Sequence, residues 1–92
     1  DSGDARRLMD IVLATERGLR KALQPDKINL ASLGNMVPHL HWHVVPRWRD
    51  DSHFPAPIWA AAQRDVTPHP IASLDDLRQA IVAELSTVTG TP

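Results

Sequence analysis

Between Pro38 and Pro46 the chain reads "HLHWHVV", with His39, His41 and His43 at every second position and Leu40, Trp42 and Val44 between them. That alternation constrains the fold more than any other stretch. Successive side chains of a strand point to opposite faces, so a strand here lines up three imidazoles on one side and an apolar row on the other. A helix would scatter the same residues around its circumference. The apolar row belongs against a core, which leaves the histidines facing outward, each about 7 Å from the next.

The flanking sequence predicts the elements around this strand. From Asp4 to Leu23, the apolar residues Leu8, Ile11, Val12, Leu19 and Leu23, with Thr15, recur at three- and four-residue steps and mark one face of a helix. Ser2 or Asp4 suits its first turn, Arg20 and Lys21 its last, and Pro25 stops it. A turn over Pro25–Lys27 leads into a short strand over 28–33, and Gly34-Asn35 turns the chain into a second strand from about Pro38 to Val45, paired antiparallel with the first. After Pro46 the periodicity ends. Residues 47–70 read as an irregular, proline-rich surface loop whose Phe54, Ile58 and Trp59 pack back on the body. Ser73, with Asp76 three residues on, caps a second amphipathic helix carrying Leu74, Leu77, Ile81, Leu85 and Val88.

Composition narrows the function. The 92 residues suit one small domain, and 42% apolar with 23% charged residues is a globular balance. A net charge of −1 gives no basic excess for a nucleic-acid polymer, and the apolar runs are too short for a membrane helix. The chain has no cysteine, so disulfides and thiolate metal sites are excluded. The expectation is a cytoplasmic protein.

The histidine strand permits three chemistries. The histidines could be solvated surface residues. They could bind a metal, since neutral imidazole is the commonest metal ligand, but the outer pair is widely spaced and only Asp50 and Asp51 stand near as further ligands. They could form a nucleophilic centre. Imidazole, with an ordinary pKa of about 6.5, attacks phosphorus near neutral pH while its neighbours bind phosphate oxygens or serve the leaving group.

"HLHWHVV", followed by Pro46-Arg47 and preceded by "GNMVP" and a helix-turn-strand, resembles the signature of the histidine triad family, and the resemblance extends over roughly residues 4–59. It implies an α+β fold with an antiparallel sheet of about five strands, commonly in a homodimer. It implies a nucleotide hydrolase or transferase that cleaves at the α-phosphate of a dinucleoside polyphosphate or nucleoside phosphoramidate. By position, His41 would attack phosphorus, His43 would contact phosphate oxygens, and His39 would hold the His41 tautomer or assist the leaving group. Asn35 and Asn29 take the places of side chains that bind phosphate oxygens. Met36-Val37 stand where many members carry a serine or threonine. No metal or other cofactor is required, although magnesium-bound substrate is compatible. The rival reading is a non-catalytic module that uses the triad to bind nucleotide or metal.

Arg47, Arg49 and His53 are further candidates for the site or a partner surface, with a solvated loop as the plainer reading, and His69 reads as exposed. Trp42 reads as structural. Two strands and a helix are too few to cover both faces of a sheet, so the domain is expected to span residues 1–92 and to need early strands from a further N-terminal portion of roughly forty to fifty residues.

Overall fold

The computed structural model describes residues 2–32, 41–69 and 73–89. Helix α1 spans Ser2–Leu23, strands β1 and β2 span Lys27–Ala31 and His43–Arg47, and helix α2 spans Leu74–Thr89. The α+β class therefore stands, with two antiparallel strands among the described residues. Both helices match the sequence reading to within a few residues. The strands are shorter than expected. β1 stops two residues before Leu33, and β2 begins at His43 and runs on through Pro46 to Arg47. Within the ladder Pro46 stands opposite Ile28.

α1 is the middle of the fold, packed on α2 and on β2. Val12 and Leu19 of the expected stripe are buried. So are Ala14 and Gly18, which sit one turn apart beside that stripe and were not expected to be covered. They mark where α2 comes down. A Cβ at Gly18 would lie 2.7 Å from the Ile81 Cα and 3.0 Å from its backbone nitrogen, so only a residue without a side chain permits this approach. Gly18→Ala is expected to destabilise the protein by about 1 kcal/mol or more, because overpacking outweighs the gain in helix propensity. Urea unfolding measures it, and a stabilised variant would contradict the close contact.

The helix ends follow local chemistry. Gln24 closes α1 with φ of 50° while its N–H donates to the Arg20 carbonyl at 3.0 Å, after which Pro25 cannot continue the helix. Ser73 caps α2 as expected, its Oγ accepting from the Asp76 N–H at 3.0 Å. Leu77, Ile81, Leu85 and Val88 are half-buried, whereas Leu74, in the first turn, is exposed. Among the described side chains of α2 the buried one is Glu84, which no apolar period reveals. Its carboxylate accepts from Arg17 Nε at 2.8 Å and also from Lys21 Nζ, both on α1. These two cations hold its pKa below the ordinary glutamate value.

Candidate active site

The hairpin register decides which side chains share a face. Ala31 opposes His43, Asn29 opposes Val45, and Lys27 opposes Arg47. By alternation, Lys27, Asn29, Ala31, His43, Val45 and Arg47 occupy one face. Ile28, Leu30, Val44 and Pro46 occupy the other, and all four are half-buried. On the first face Lys27, Asn29 and His43 are exposed, but Ala31 and Val45 are half-buried and Arg47 is buried, so the separation of apolar from polar residues expected from the alternation is only partly present. His43 is exposed and His41 half-buried just before β2, with Trp42 half-buried between them. The His41 and His43 rings meet edge to face, centroids 5.3 Å apart and planes at 89°.

Beyond the last ladder pair, the Ser32 hydroxyl donates to the His41 carbonyl at 3.0 Å and carries the hairpin contact one step further. Sequence reading treated Ser32 only as part of an alternation. Its signal was its place between a strand and a turn, where hydroxyls bond nearby backbone. His39 and Asn35, together with Met36 and Val37, lie outside the described residues. Among the described residues no group of three or more His, Cys, Asp or Glu side chains is arranged to hold a metal ion.

The largest departure from expectation is Arg47. Read from sequence as a loop residue free to meet solvent, phosphate or a partner, it is 2% exposed and is the most completely buried large side chain described. Its Nε and Nη2 donate to the two oxygens of Asp51 at 2.7 and 3.0 Å, Nη2 also reaches the Ala56 carbonyl at 2.7 Å, and Nη1 donates to Asn29 Oδ1 at 2.7 Å. The guanidinium lies 5.5 Å from the Phe54 ring centroid. Asp51 in turn accepts backbone N–H bonds from Trp48, His53 and Phe54. Arg64 Nη1 ties in the carbonyls of Asp51 and Phe54 at 2.5 and 2.6 Å.

Residues 48–64 are therefore an ordered loop built around one ion pair, not a loose surface segment. The reason is elementary. A buried guanidinium must find acceptors for its donors, and the chain folds back to supply them. Within this loop Phe54 is half-buried as expected, but Ile58 and Trp59 are exposed. His53 belongs to the loop through its N–H and through a 2.8 Å contact of Nδ1 with Ser52 Oγ. Arg49 is exposed, its N–H donating to Asp26. His69 is not exposed as expected: it stacks on Trp48 at 5.0 Å and pairs with Asp50 at 2.6 Å.

Electrostatics explain why Asp51 belongs there. The Arg47 guanidinium, then the three backbone N–H bonds, hold its carboxyl well below the usual carboxylate range. A depressed folded-state pKa gives stability that is complete above the unfolded value and is lost as pH falls below it. The stability gap between the protein and Asp51→Asn is thus expected to be constant above about pH 5 and to narrow toward pH 2.5. Urea titrations across that range measure it, and a gap that stays equally wide at low pH would contradict the pairing.

The HIT domain family's sequence pattern matches residues 3–50, just over half of the chain, a span that includes the histidine run. This chain belongs to the histidine triad (HIT) family. Solved HIT proteins are similar to it in structure. A histidine triad protein from Bradyrhizobium japonicum superposes with a TM-score of 0.63 at 28% identity, covering 96% of this chain and 62% of that one. One from Marinobacter aquaeolei gives 0.61 at 28% identity, covering 96% and 60%. A third, from Sinorhizobium meliloti, gives 0.50 at 30%, covering 84% and 53%. The HIT chain described here thus spans little more than half to three-fifths of these relatives' lengths. No curated protein matches it. Among the described residues no helix is long and apolar enough to cross a membrane.

Proposed function

We propose that this HIT protein is a nucleotide hydrolase or transferase that works through a nucleotidyl-histidine intermediate. The observation that carries the reading is the paired imidazoles of His41, just before β2, and His43, its first residue, edge to face at 5.3 Å in a chain of the HIT family. In this mechanism a ring nitrogen of His41 forms a bond to the α-phosphorus as the bond to the leaving phosphate or amine breaks. The leaving group departs with a proton supplied by the site. Water then forms the new P–O bond, the N–P bond breaks, and the nucleoside monophosphate leaves.

His43 contacts phosphate oxygens and stabilises the charge that builds on them. His39 holds the tautomer of His41, and Asn35 and Asn29 bind further oxygens. The attack requires His41 to be held still, and the Ser32 bond to its carbonyl supports that. Substrates are a dinucleoside polyphosphate or a nucleoside phosphoramidate, with magnesium carried by the substrate where present. The proposed working form is a cytoplasmic homodimer. Incubation with diadenosine tetraphosphate and with adenosine phosphoramidate tests the reading: release of AMP from either supports it, and release from neither rejects it.

A further inference from the structure

Asn29 and Arg47 are joined in a way that gives the asparagine a direction. An amide can turn either its oxygen or its nitrogen toward a neighbour, and the two ends look alike until a partner distinguishes them. Arg47 does so. A guanidinium has donors and no acceptor, so the end of Asn29 that meets Nη1 at 2.7 Å must be Oδ1. Arg47 cannot turn away to release it, because its other bonds go to Asp51 and the Ala56 carbonyl and the group is buried. Asn29 is therefore held with its oxygen toward the interior network, while Nδ2, with two N–H donors, meets no acceptor among the described residues.

The surroundings favour an anion at that nitrogen. Asn29 shares its face with His43, whose direct partner across the ladder is Ala31. The two are diagonal neighbours, about 7–8 Å apart, within joint reach of one bound group. Lys27, exposed, lies at the far end of the same face. The carboxylate of Asp51, joined to Asn29 through Arg47, is engaged by Arg47 and by three backbone N–H groups, so its charge is offset.

We infer that Arg47 is a positioning residue that fixes the Asn29 amide with its nitrogen outward, where it donates to a phosphate oxygen of the ligand contacted by His43. The inference rests on the phosphate-site reading given under Proposed function and deepens it. Arg47 never touches the ligand. Its effect is to make Asn29 a donor only, which suits a phosphate oxygen and rejects a ligand group that needs an acceptor.

Asn29→Asp tests this directly, because it keeps an oxygen for Arg47 and replaces the two donors with a second oxygen. AMP is the probe, titrated calorimetrically into the protein. The expected result is AMP affinity lowered at least about tenfold, the value of a lost hydrogen bond to a charged group, with a thermal midpoint equal to or above that of the protein. Asn29→Ala is expected to lose similar affinity with a lower midpoint. Arg47→Lys keeps the cation but not the fork, and, assayed at a temperature where it is folded, is expected to bind AMP as weakly as Asn29→Ala. In the unaltered protein, AMP is expected to shift the Asn29 side-chain amide resonances, a readout that does not depend on any variant folding.

AMP affinity within twofold of the protein's in Asn29→Asp, or unshifted Asn29 amide resonances, would overturn the contact. Undiminished affinity in folded Arg47→Lys would overturn the positioning role. In each of these cases AMP still binds the unaltered protein, and the proposed function stands. If the unaltered protein binds neither AMP nor inorganic phosphate, the phosphate site itself is wrong and both fall together.

Discussion

Arg47→Met is expected to destabilise the protein by about 3 kcal/mol, a drop of roughly 12–24 °C in thermal midpoint for a domain of this size. Methionine fills much of the volume but supplies none of the four hydrogen bonds that Arg47 makes to Asp51, Asn29 and Ala56. Removing one partner of a buried ion pair costs more than the pair is worth, because the other charge stays behind. The expected loss is at the lower end of the usual range because Asp51 keeps its three backbone N–H bonds and some contact with water. The damage should be local first. With Asp51 released, residues 48–64 lose the anchor that joins them to β2, and limited proteolysis is expected to cut there before it cuts either helix. A variant within 0.5 kcal/mol of the protein, about the span of ordinary surface substitutions, would show that Arg47 does not organise the loop.

His41→Ala is expected to lower turnover at least about a thousandfold, the scale on which removal of a covalent nucleophile acts. His43→Ala is expected to cost about a hundredfold, as for one donor to a developing oxyanion. The asymmetry follows from the roles proposed for the two rings: one forms a bond to phosphorus, the other stabilises charge. Neither change should unfold the chain. His43 is exposed, and the Ser32 bond to the His41 backbone carbonyl is retained by alanine. Initial rates with diadenosine tetraphosphate measure both effects, and a His41→Ala enzyme retaining a tenth of the rate would remove that residue from the nucleophile's role.

What could be read from the sequence and what could not divide along physical lines. The stripe of α1 and the serine cap of α2 were legible, because periodicity and capping are local properties that each element carries in its own residues. The histidine run carried the family with it, although only His43 of the three lies in β2 and His39 lies outside the described residues. Arg47, Gly18 and Glu84 were not legible. Each owes its burial to a partner distant in sequence or to a fold-back of the chain: Asn29 and Asp51 for Arg47, Ile81 for Gly18, Arg17 and Lys21 for Glu84. A charged residue looks solvated until its partners are known. His69 was misjudged in the same way, since nothing near it in sequence announces that Trp48 will stack on it. The strand ends were displaced because β pairing is set by the ladder between strands, which continues to Lys27↔Arg47 at one end and stops at Ala31↔His43 at the other.

The central claim is that His41 carries the nucleotide during turnover. The direct measurement is the intact mass of the protein quenched within its first turnovers of adenosine phosphoramidate, beside His41→Ala and His43→Ala treated identically. The account predicts one AMP-sized adduct on the protein, located by fragmentation at His41, absent from His41→Ala and still formed, more slowly, by His43→Ala. An adduct that persists in His41→Ala, or AMP release with no adduct at any quench time, would contradict it.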